Sequence, residues 1–194
     1  MKLFLSTAVM LLSILALNTV PDVTSLNVDT KASKLKWTGY HLAKSYEHYG
    51  YVGIKSGQLS IEHGELIGGK IIIDMNTITN EDVEGGKNAK LVKDLKSDRF
   101  FGVKQHPEAS IEIKKSKKVS DETYNVTADI IIRGIRKEVQ FPVKKTSNSG
   151  GKLEFTAQIE IDRIVHEVMH GWSIENAIMS NLFKIEATIV VNVK

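Results

Sequence analysis

From residue 34 onward, apolar and polar residues alternate along most of this chain. The segment 153–162 (LEFTAQIEID) shows the pattern, with single polar residues separating Leu153, Phe155, Ala157, Ile159 and Ile161. Because successive side chains of a strand point to opposite faces, this period of two predicts strands with one buried and one exposed face. Seven further segments follow the same pattern: 34–39, 49–61, 70–76, 109–114, 124–133, 138–144 and 183–193.

Short turn motifs separate most of these segments. They lie at His63–Glu65, Ser120–Glu122, Arg133–Gly134 and Asn148–Gly151, and they are rich in the residues that form tight turns. Hairpin-length connections make neighbouring strands antiparallel. Eight antiparallel strands with one apolar face each are best closed into a barrel, which leaves no free edge. We therefore predict an all-β fold, an eight-stranded antiparallel β-barrel, with a two-sheet sandwich as the alternative.

One long connection, Asn80 to Phe101, interrupts the strand pattern. Within it, Asn88 to Lys96 has the spacing of a short helix, because Leu91 and Leu95 stack at i and i+4. A connection of this length is unusual between adjacent strands, and such insertions are often lids or binding elements. The prediction is a short helix inserted between two strands of the barrel.

The first residues have the composition of an export signal. Met1-Lys2 supplies a positive charge, an apolar run covers 3–17, and a helix-breaking Pro21 follows. The run is too short for a membrane span but suits a signal-peptide core. We expect a signal peptide at 1–20, with cleavage between Ala16 and Thr24, and a mature domain at 26–194; a buried N-terminal helix is the alternative.

The composition of the chain limits the cellular compartments and the classes of partner that are expected. The chain has no cysteine, which excludes disulfides and a lipid-modified cysteine. Together with the export signal, this predicts an exported protein of the periplasm or the secreted fraction. The formal net charge is +3 and the lysines are scattered without an arginine-rich arm, so no nucleic-acid role is expected.

The inward-facing positions suggest what a barrel could hold. They are rich in isoleucine, valine and alanine, and aromatic residues make up 7% of the chain. An eight-stranded barrel either fills itself with side chains or holds one slender ligand. If it is hollow, the ligand is a long apolar chain, since each buried methylene contributes about 0.8 kcal/mol. A packed structural barrel stays open as the alternative.

Residues 166–170 (HEVMH) match the zinc-protease motif H-E-x-x-H. On a helix this spacing places both imidazoles on one face. The preceding segment alternates as a strand, however, and on a strand His166 and His170 would lie about 13 Å apart, too far for one ion. No clear third ligand follows. A zinc-dependent hydrolase is therefore the weaker hypothesis, and we expect neither a metal nor catalysis.

Two blocks of sequence are specific enough to indicate a family. The first contains Leu91, Leu95-Lys96-Ser97, Phe100-Phe101, Val103 and Pro107, and the second is the segment 130–137 (IIIRGIRK). Both resemble motifs of the YceI-like polyisoprenoid-binding proteins, and the likeness extends from about Leu26 to Lys194. The resemblance implies an exported, lipocalin-like barrel that holds a long isoprenoid, an isoprenoid quinone or a fatty-acyl lipid.

The predicted ligand-binding residues combine inward-facing positions with the family blocks. They are Trp37, His41, Ile73, Leu91, Leu95, Phe100, Phe101, Ile130, Phe141, Ile159 and Arg163. Of Phe100 and Phe101, we expect one ring to enter the barrel and the other to pack beneath the loop. Arg163 would meet either an anionic head group or an acidic neighbour such as Asp162.

The expected partner is an apolar lipid, and no cofactor is expected beyond such a lipid. The sequence leaves transient contact with a membrane surface and homodimer formation open. It also leaves a second class of function, an outer-membrane β-barrel, because alternation alone does not say which face points inward.

Overall fold

The computed structural model describes residues 23–42, 46–169 and 173–193. The strands are β1 (Val23–Asn27), β2 (Lys34–His41), β3 (Glu47–Glu62), β4 (Glu65–Asp74), β5 (Glu108–Lys118), β6 (Thr123–Ile132), β7 (Ile135–Ser149), β8 (Lys152–Asp162) and β9 (Met179–Asn192). Two helices, α1 (Gly85–Lys96) and α2 (Ile174–Ile178), and two 3₁₀ turns, Met75–Thr77 and Ile164–His166, lie in the connections. The predicted signal peptide lies outside the described residues.

The strands form one antiparallel sheet that closes on itself. Its spatial order is β1-β3-β2-β9-β8-β7-β6-β5-β4, and a further pairing of β3 with β4 completes the ring. Strand β1 pairs with the second half of β3 and β2 with the first half, so β1 and β2 together occupy one position. The prediction of a closed eight-stranded barrel is confirmed, and β1 is an additional short strand.

Two hairpin turns have the backbone that their sequences predict. His63 and Gly64 have φ angles of 50° and 80°, and Arg133 and Gly134 have 54° and 74°. Both pairs connect strands through two-residue loops. Positive φ at both central residues is the type I′ turn, whose twist matches that of the flanking strands. These turns fix the register of β3 with β4 and of β6 with β7.

The apolar faces of the strands converge inside the barrel. In β6, Tyr124, Val126, Ala128, Ile130 and Ile132 are all buried, and the residues between them are partly or fully exposed. The outer face carries ion pairs instead: Lys118 with Glu65 at 2.7 Å and Arg136 with Asp129 at 2.6 Å. Exposed pairs of this kind contribute little to stability, but they show which side faces water.

Helix α1 crosses one end of the barrel. It begins at Gly85, three residues before the predicted start, and ends at Lys96 as predicted. Leu95 is buried beneath it, and Lys96 donates its Nζ proton to the carbonyl of Asn76 at 2.7 Å. Lys93 and Lys96 lie in the last turn, where cations interact favourably with the helix dipole.

The connections divide into two groups because the strands alternate in direction. Those between β2 and β3, β4 and β5, β6 and β7, and β8 and β9 lie at the end covered by α1, which we call the α1 end. The β3–β4, β5–β6 and β7–β8 turns lie at the opposite end, the hairpin end. In the part of the chain that the structure describes, neither helix has the length and apolarity needed to cross a bilayer.

Candidate ligand-binding site

Two apolar cavities lie inside the barrel, and each has a volume of about 50 Å³. Four predicted residues, Trp37, Ile73, Phe101 and Ile130, line the middle cavity. Two others, Phe141 and Ile159, line the deep cavity nearer the hairpin end. Cavities with such walls remain dry and accept apolar ligands. The interior is therefore neither solid nor a continuous channel.

Leu35 and Ile111 separate the middle cavity from the deep one. Both side chains are buried, and both line each of the two cavities. They come from β2 and β5, which lie three strand positions apart in the ring. Neither was among the predicted ligand-binding residues, although the alternating pattern already placed them on inward faces.

A third, outer cavity of about 230 Å³ lies at the α1 end. Leu91 and Leu95 of α1, Phe100 and His41 line it, as do His48, Ile178 and Met179. The structure thus brings four more predicted residues together. Alternate residues of β2 connect the three cavities, because Leu35 borders the deep and middle ones, Trp37 the middle one, and Gly39 and His41 the outer one.

The two phenylalanines after α1 are placed by hydrogen bonds to Arg133. Its Nη1 donates to the carbonyls of Asp98 and Phe100 at 2.8 and 2.6 Å. Gly102 follows with φ of 56°, and a Cβ there would lie 3.0 Å from the Arg133 guanidinium. Phe101 consequently enters the barrel, with its ring edge-on to Phe183 at 6.3 Å, while Phe100 faces the outer cavity.

Histidines give the outer cavity a polar side. His48 Nδ1 lies 2.7 Å from a carboxylate oxygen of Asp82, and the rings of His41, Tyr46 and His48 meet edge to face. Burial of Asp82 opposes its ionisation, but hydrogen bonds from the Tyr49 amide, His48 and Asn80 outweigh it and lower the pKa of the carboxyl. The carboxylate therefore holds His48 in a fixed orientation beside the cavity.

Arg163 lies outside the walls of the three cavities. Its side chain is buried, and it donates hydrogen bonds to the carbonyls of Ser180, Val168, Met169 and Asn176 and to the Asn181 side chain. Burial lowers the pKa of the guanidinium. These contacts hold the β8–β9 connection against the start of β9, so the geometry gives Arg163 a structural role.

Residues 166–169, the described part of the HEVMH segment, do not form the helix that a zinc site requires. Residues Ile164–His166 are a 3₁₀ turn, and Glu167 and Met169 have φ of 55° and 51°. His166 is buried, with its Nδ1 3.2 Å from the carbonyl oxygen of Ile135. His170 lies outside the described residues. Among those described, no group of three His, Cys, Asp or Glu side chains could hold a metal ion.

Comparison with known proteins agrees with this architecture. The family model of the YceI-like domain matches residues 26–191. The chain belongs to the YceI-like family. Two UPF0312 proteins of Pseudomonas putida are 29% identical to it over 116 residues, which are 60% of this chain and 57% of theirs. The match thus spans little more than half the length of these curated relatives.

Three solved structures share the fold at low sequence identity. BcnA of Burkholderia cenocepacia has a TM-score of 0.70 and 18% identity, covering 84% of this chain and 98% of BcnA. A polyisoprenoid-binding domain of Saccharophagus degradans has a TM-score of 0.63 and 12% identity, covering 90% and 100%. The YceI protein of Campylobacter jejuni has a TM-score of 0.57 and 19% identity, covering 67% and 74%.

Three residues of the outer cavity come from distant elements and were not predicted from the sequence. His48 is the second residue of β3, and Ile178 and Met179 lie where the chain passes from α2 into β9. His48 pairs with Gly39 across β2 and β3, a register that only the structure supplies. No local pattern marks Ile178 and Met179, whose position depends on how the β8–β9 connection folds.

Proposed function

We propose that this chain is an exported carrier that encloses a long apolar ligand in its barrel and catalyses no reaction. The ligand would be a polyisoprenoid, an isoprenoid quinone or a fatty-acyl chain. The observation that carries the proposal is the row of three cavities along the barrel axis, of which the inner two have almost wholly apolar walls. Such a site supplies volume and water exclusion, which is what a hydrocarbon chain needs.

The ligand would join the cavities into one channel. Its tail would displace the side chains of Leu35 and Ile111, which separate the middle and deep cavities. Ten buried methylenes contribute about 8 kcal/mol before the costs of ordering are subtracted, enough to offset such rearrangement. The polar end of the ligand would lie in the outer cavity, where His41 and His48 offer hydrogen bonds.

Membership of the YceI-like family supports lipid binding in general terms. One neighbour of the same fold is described as a polyisoprenoid-binding domain, and its function suggests the ligand class proposed for this chain. The absence of a zinc-binding helix in the HEVMH segment removes the main reason to consider hydrolysis. The charged outer face favours the carrier over an outer-membrane barrel, whose lipid-facing band would be apolar.

The proposed carrier acts outside the cytoplasm, in the periplasm or the secreted fraction. Support comes from the N-terminal sequence, with its positive start and apolar run, and from the lack of cysteine throughout the chain. A carrier in that compartment would move its ligand between membranes, or store it, because such lipids are almost insoluble in water.

The α1 end is the proposed contact with a membrane. Of the ten large hydrophobic residues exposed in the described part of the chain, six lie at this end: Leu42, Tyr46, Ile164, Val165, Ile178 and Leu182. Lysines 87, 90 and 93 of α1 are exposed beside them, and cations of this kind attract anionic lipid surfaces. A homodimer through the same surface is the alternative, and it would double the mass of the protein in solution.

Native mass spectrometry of the mature protein from its own exported fraction tests the carrier proposal. The expected result is a population heavier than the chain alone, from which solvent extraction releases a long-chain lipid. The delipidated protein should then rebind the extracted lipid at a ratio of one to one. Protein that is lipid-free as isolated and also fails to take up polyprenol, ubiquinone or long fatty acid would overturn the proposal.

A further inference from the structure

The ring of strands is not hydrogen-bonded along its whole height. Strand β8 pairs with β7 only from Val143–Ala157 to Ser149–Lys152, at the hairpin end. Above that point β7 stays paired with β6 as far as Ile135, and β8 stays paired with β9 as far as Asp162. Residues 135–142 and 158–162 therefore face each other without a ladder between them. We call this interruption the β7–β8 split.

Pro142 explains where the split begins. Ile132 and Ile135 flank a two-residue turn and form a hydrogen-bonded pair, so odd-numbered residues of β7 direct their backbone groups to β6. Even-numbered residues, including Pro142, direct theirs to β8. Continuing the register would pair Pro142 with Gln158, but proline has no N–H to donate. The ladder ends at the first position where β7 cannot contribute a donor.

The split lies directly over the deep cavity. Phe141 and Val143 of β7 and Ala157 and Ile159 of β8 flank the point where the ladder ends, and all four line that cavity. On the outer surface a groove of about 520 Å³ runs beside the same point, with Pro142 and Gln158 among its walls and Ala157 also exposed to it. Ala157 thus borders both the outside groove and the interior.

Side chains, rather than backbone, close the split. Phe141, Ile159 and Ile161 are buried along it. At the α1 end of the split, His166 is buried with Nδ1 against the Ile135 carbonyl, which places the 3₁₀ turn Ile164–His166 across the gap. Displacing these side chains would open the gap without breaking backbone hydrogen bonds, whereas opening the ring between β8 and β9 requires breaking a continuous ladder.

We propose that the β7–β8 split is a lateral opening through which the tail of the apolar ligand enters and leaves the barrel. This inference rests on the proposed carrier function and adds the route of exchange. The α1 end of the split lies beside the turn that carries Ile164 and Val165, which are exposed, so a tail leaving a membrane there would reach it directly. The alternative route, along the axis, passes under α1 with Leu91 and Leu95 over the outer cavity.

A covalent tether across the split tests the route. The chain has no cysteine, so Gln140→Cys with Glu160→Cys, both exposed positions facing each other by extension of the register, can be joined by a short bifunctional maleimide. Lys144→Cys with Thr156→Cys is the matched control, because these residues join the same two strands where the ladder is intact. Transfer of cis-parinaric acid from loaded protein to phosphatidylcholine vesicles is followed by fluorescence.

The tether across the split should slow transfer about tenfold or more, with equilibrium binding unchanged, while the control tether leaves the rate unchanged. Unchanged transfer in the split-tethered protein would overturn the lateral route and leave the axial one. Failure of the untethered protein to take up any chain would instead overturn the carrier function, so the two failures are distinguishable.

Amide hydrogen exchange measured by NMR gives a second test that needs neither a tether nor a ligand. If the split exists in solution, the amides of Glu138 and Gln140, which face it, exchange faster than those of Val139 and Phe141, which face β6. Equal protection of all four amides would mean that β7 and β8 are paired there and would overturn the proposal.

Discussion

The indole Nε1–H of Trp37 donates a hydrogen bond to the carbonyl oxygen of Thr79 at 2.9 Å. The bond satisfies the polar edge of a ring whose apolar surface lines the middle cavity. Thr79 belongs to the connection after β4, which crosses β3 so closely that a Cβ on Gly50 would lie 2.0 Å from the Thr79 oxygen. The Trp37–Thr79 hydrogen bond therefore fixes the connection after β4 against the wall of the middle cavity.

Gly50→Ala should displace this loop. The added methyl group meets backbone atoms that have to move, and the Trp37–Thr79 hydrogen bond is lost with them. We expect the free energy of unfolding to fall by about 2–4 kcal/mol, from overpacking and the lost bond together. Urea denaturation measures this change in the free energy of unfolding.

Gly86→Ala is the control, because nothing lies within 4 Å of a Cβ at that position. Since Gly86 lies in a helix, the substitution should raise the free energy of unfolding by about 0.5–1 kcal/mol. Equal changes in the free energy of unfolding for the two substitutions would contradict the close packing of Gly50 against the Thr79 backbone.

Ile130→Phe should reduce ligand occupancy by filling the middle cavity. The larger side chain occupies the path of the tail and costs about 1–3 kcal/mol of stability by overpacking. Leu153→Phe is the matched control, since Leu153 is buried but lines none of the three cavities. Lipid extracted per mole of purified protein is the measurement. Equal loss of lipid from both variants would show that occupancy follows stability and that the cavity is not the site.

Protonation of His166 should destabilise the fold in mild acid. Burial lowers the pKa of His166 below 6.5, and the nearby charge of Lys137 lowers it further. As pH falls below about 6.5, the unfolded chain binds a proton that the folded protein excludes, so the free energy of unfolding decreases until pH reaches the lowered pKa. His166→Gln should flatten this slope. His63→Asn, at an exposed turn position, should keep it, and a slope retained in His166→Gln would refute the account.

Exposed apolar residues at the α1 end should govern membrane contact. Leu42→Ser with Val165→Ser removes two of them and should weaken cosedimentation with phosphatidylglycerol vesicles about tenfold. Val119→Ser with Val193→Ser, which are equally exposed at the hairpin end, should have no effect. Salt should also weaken binding, because it screens the α1 lysines. If the wild-type protein does not cosediment with the vesicles and elutes as a dimer in size-exclusion chromatography, the result would favour self-association through this surface.

The alternation of apolar and polar residues predicted most of the fold, because a strand with one buried face can be recognised from its local sequence. It placed Ile73, Ile130 and Ile159 on inward faces and located the turns. It missed β1 (Val23–Asn27), a short strand whose first two residues overlap the region where signal cleavage was expected. Alternation does not show how side chains from different strands pack against one another inside the barrel. The separation of the middle and deep cavities by Leu35 and Ile111 could therefore be seen only in the structure.

Other features depend on contacts between distant residues. Arg163 was expected to meet an anionic head group or Asp162, yet its hydrogen bonds reach residues up to 18 positions away, which depends on the path of the β8–β9 connection. The β7–β8 split was not predicted, although Pro142 lies in the predicted strand 138–144 and has no backbone N–H to donate. Which neighbouring strand lacks that donor follows only from the hairpin register.

Fluorescence quenching of Trp37 by a brominated chain tests the central claim, that the barrel interior is the ligand site. Trp37 and Trp172 are the two tryptophans of the chain, so Trp172→Phe leaves Trp37, which lines the middle cavity, as the sole indole. Dibromostearic acid bound by this variant should quench its emission, whereas stearic acid should not. Stoichiometric binding of the brominated chain with the emission of Trp37 unchanged would place the ligand outside the barrel and contradict the account.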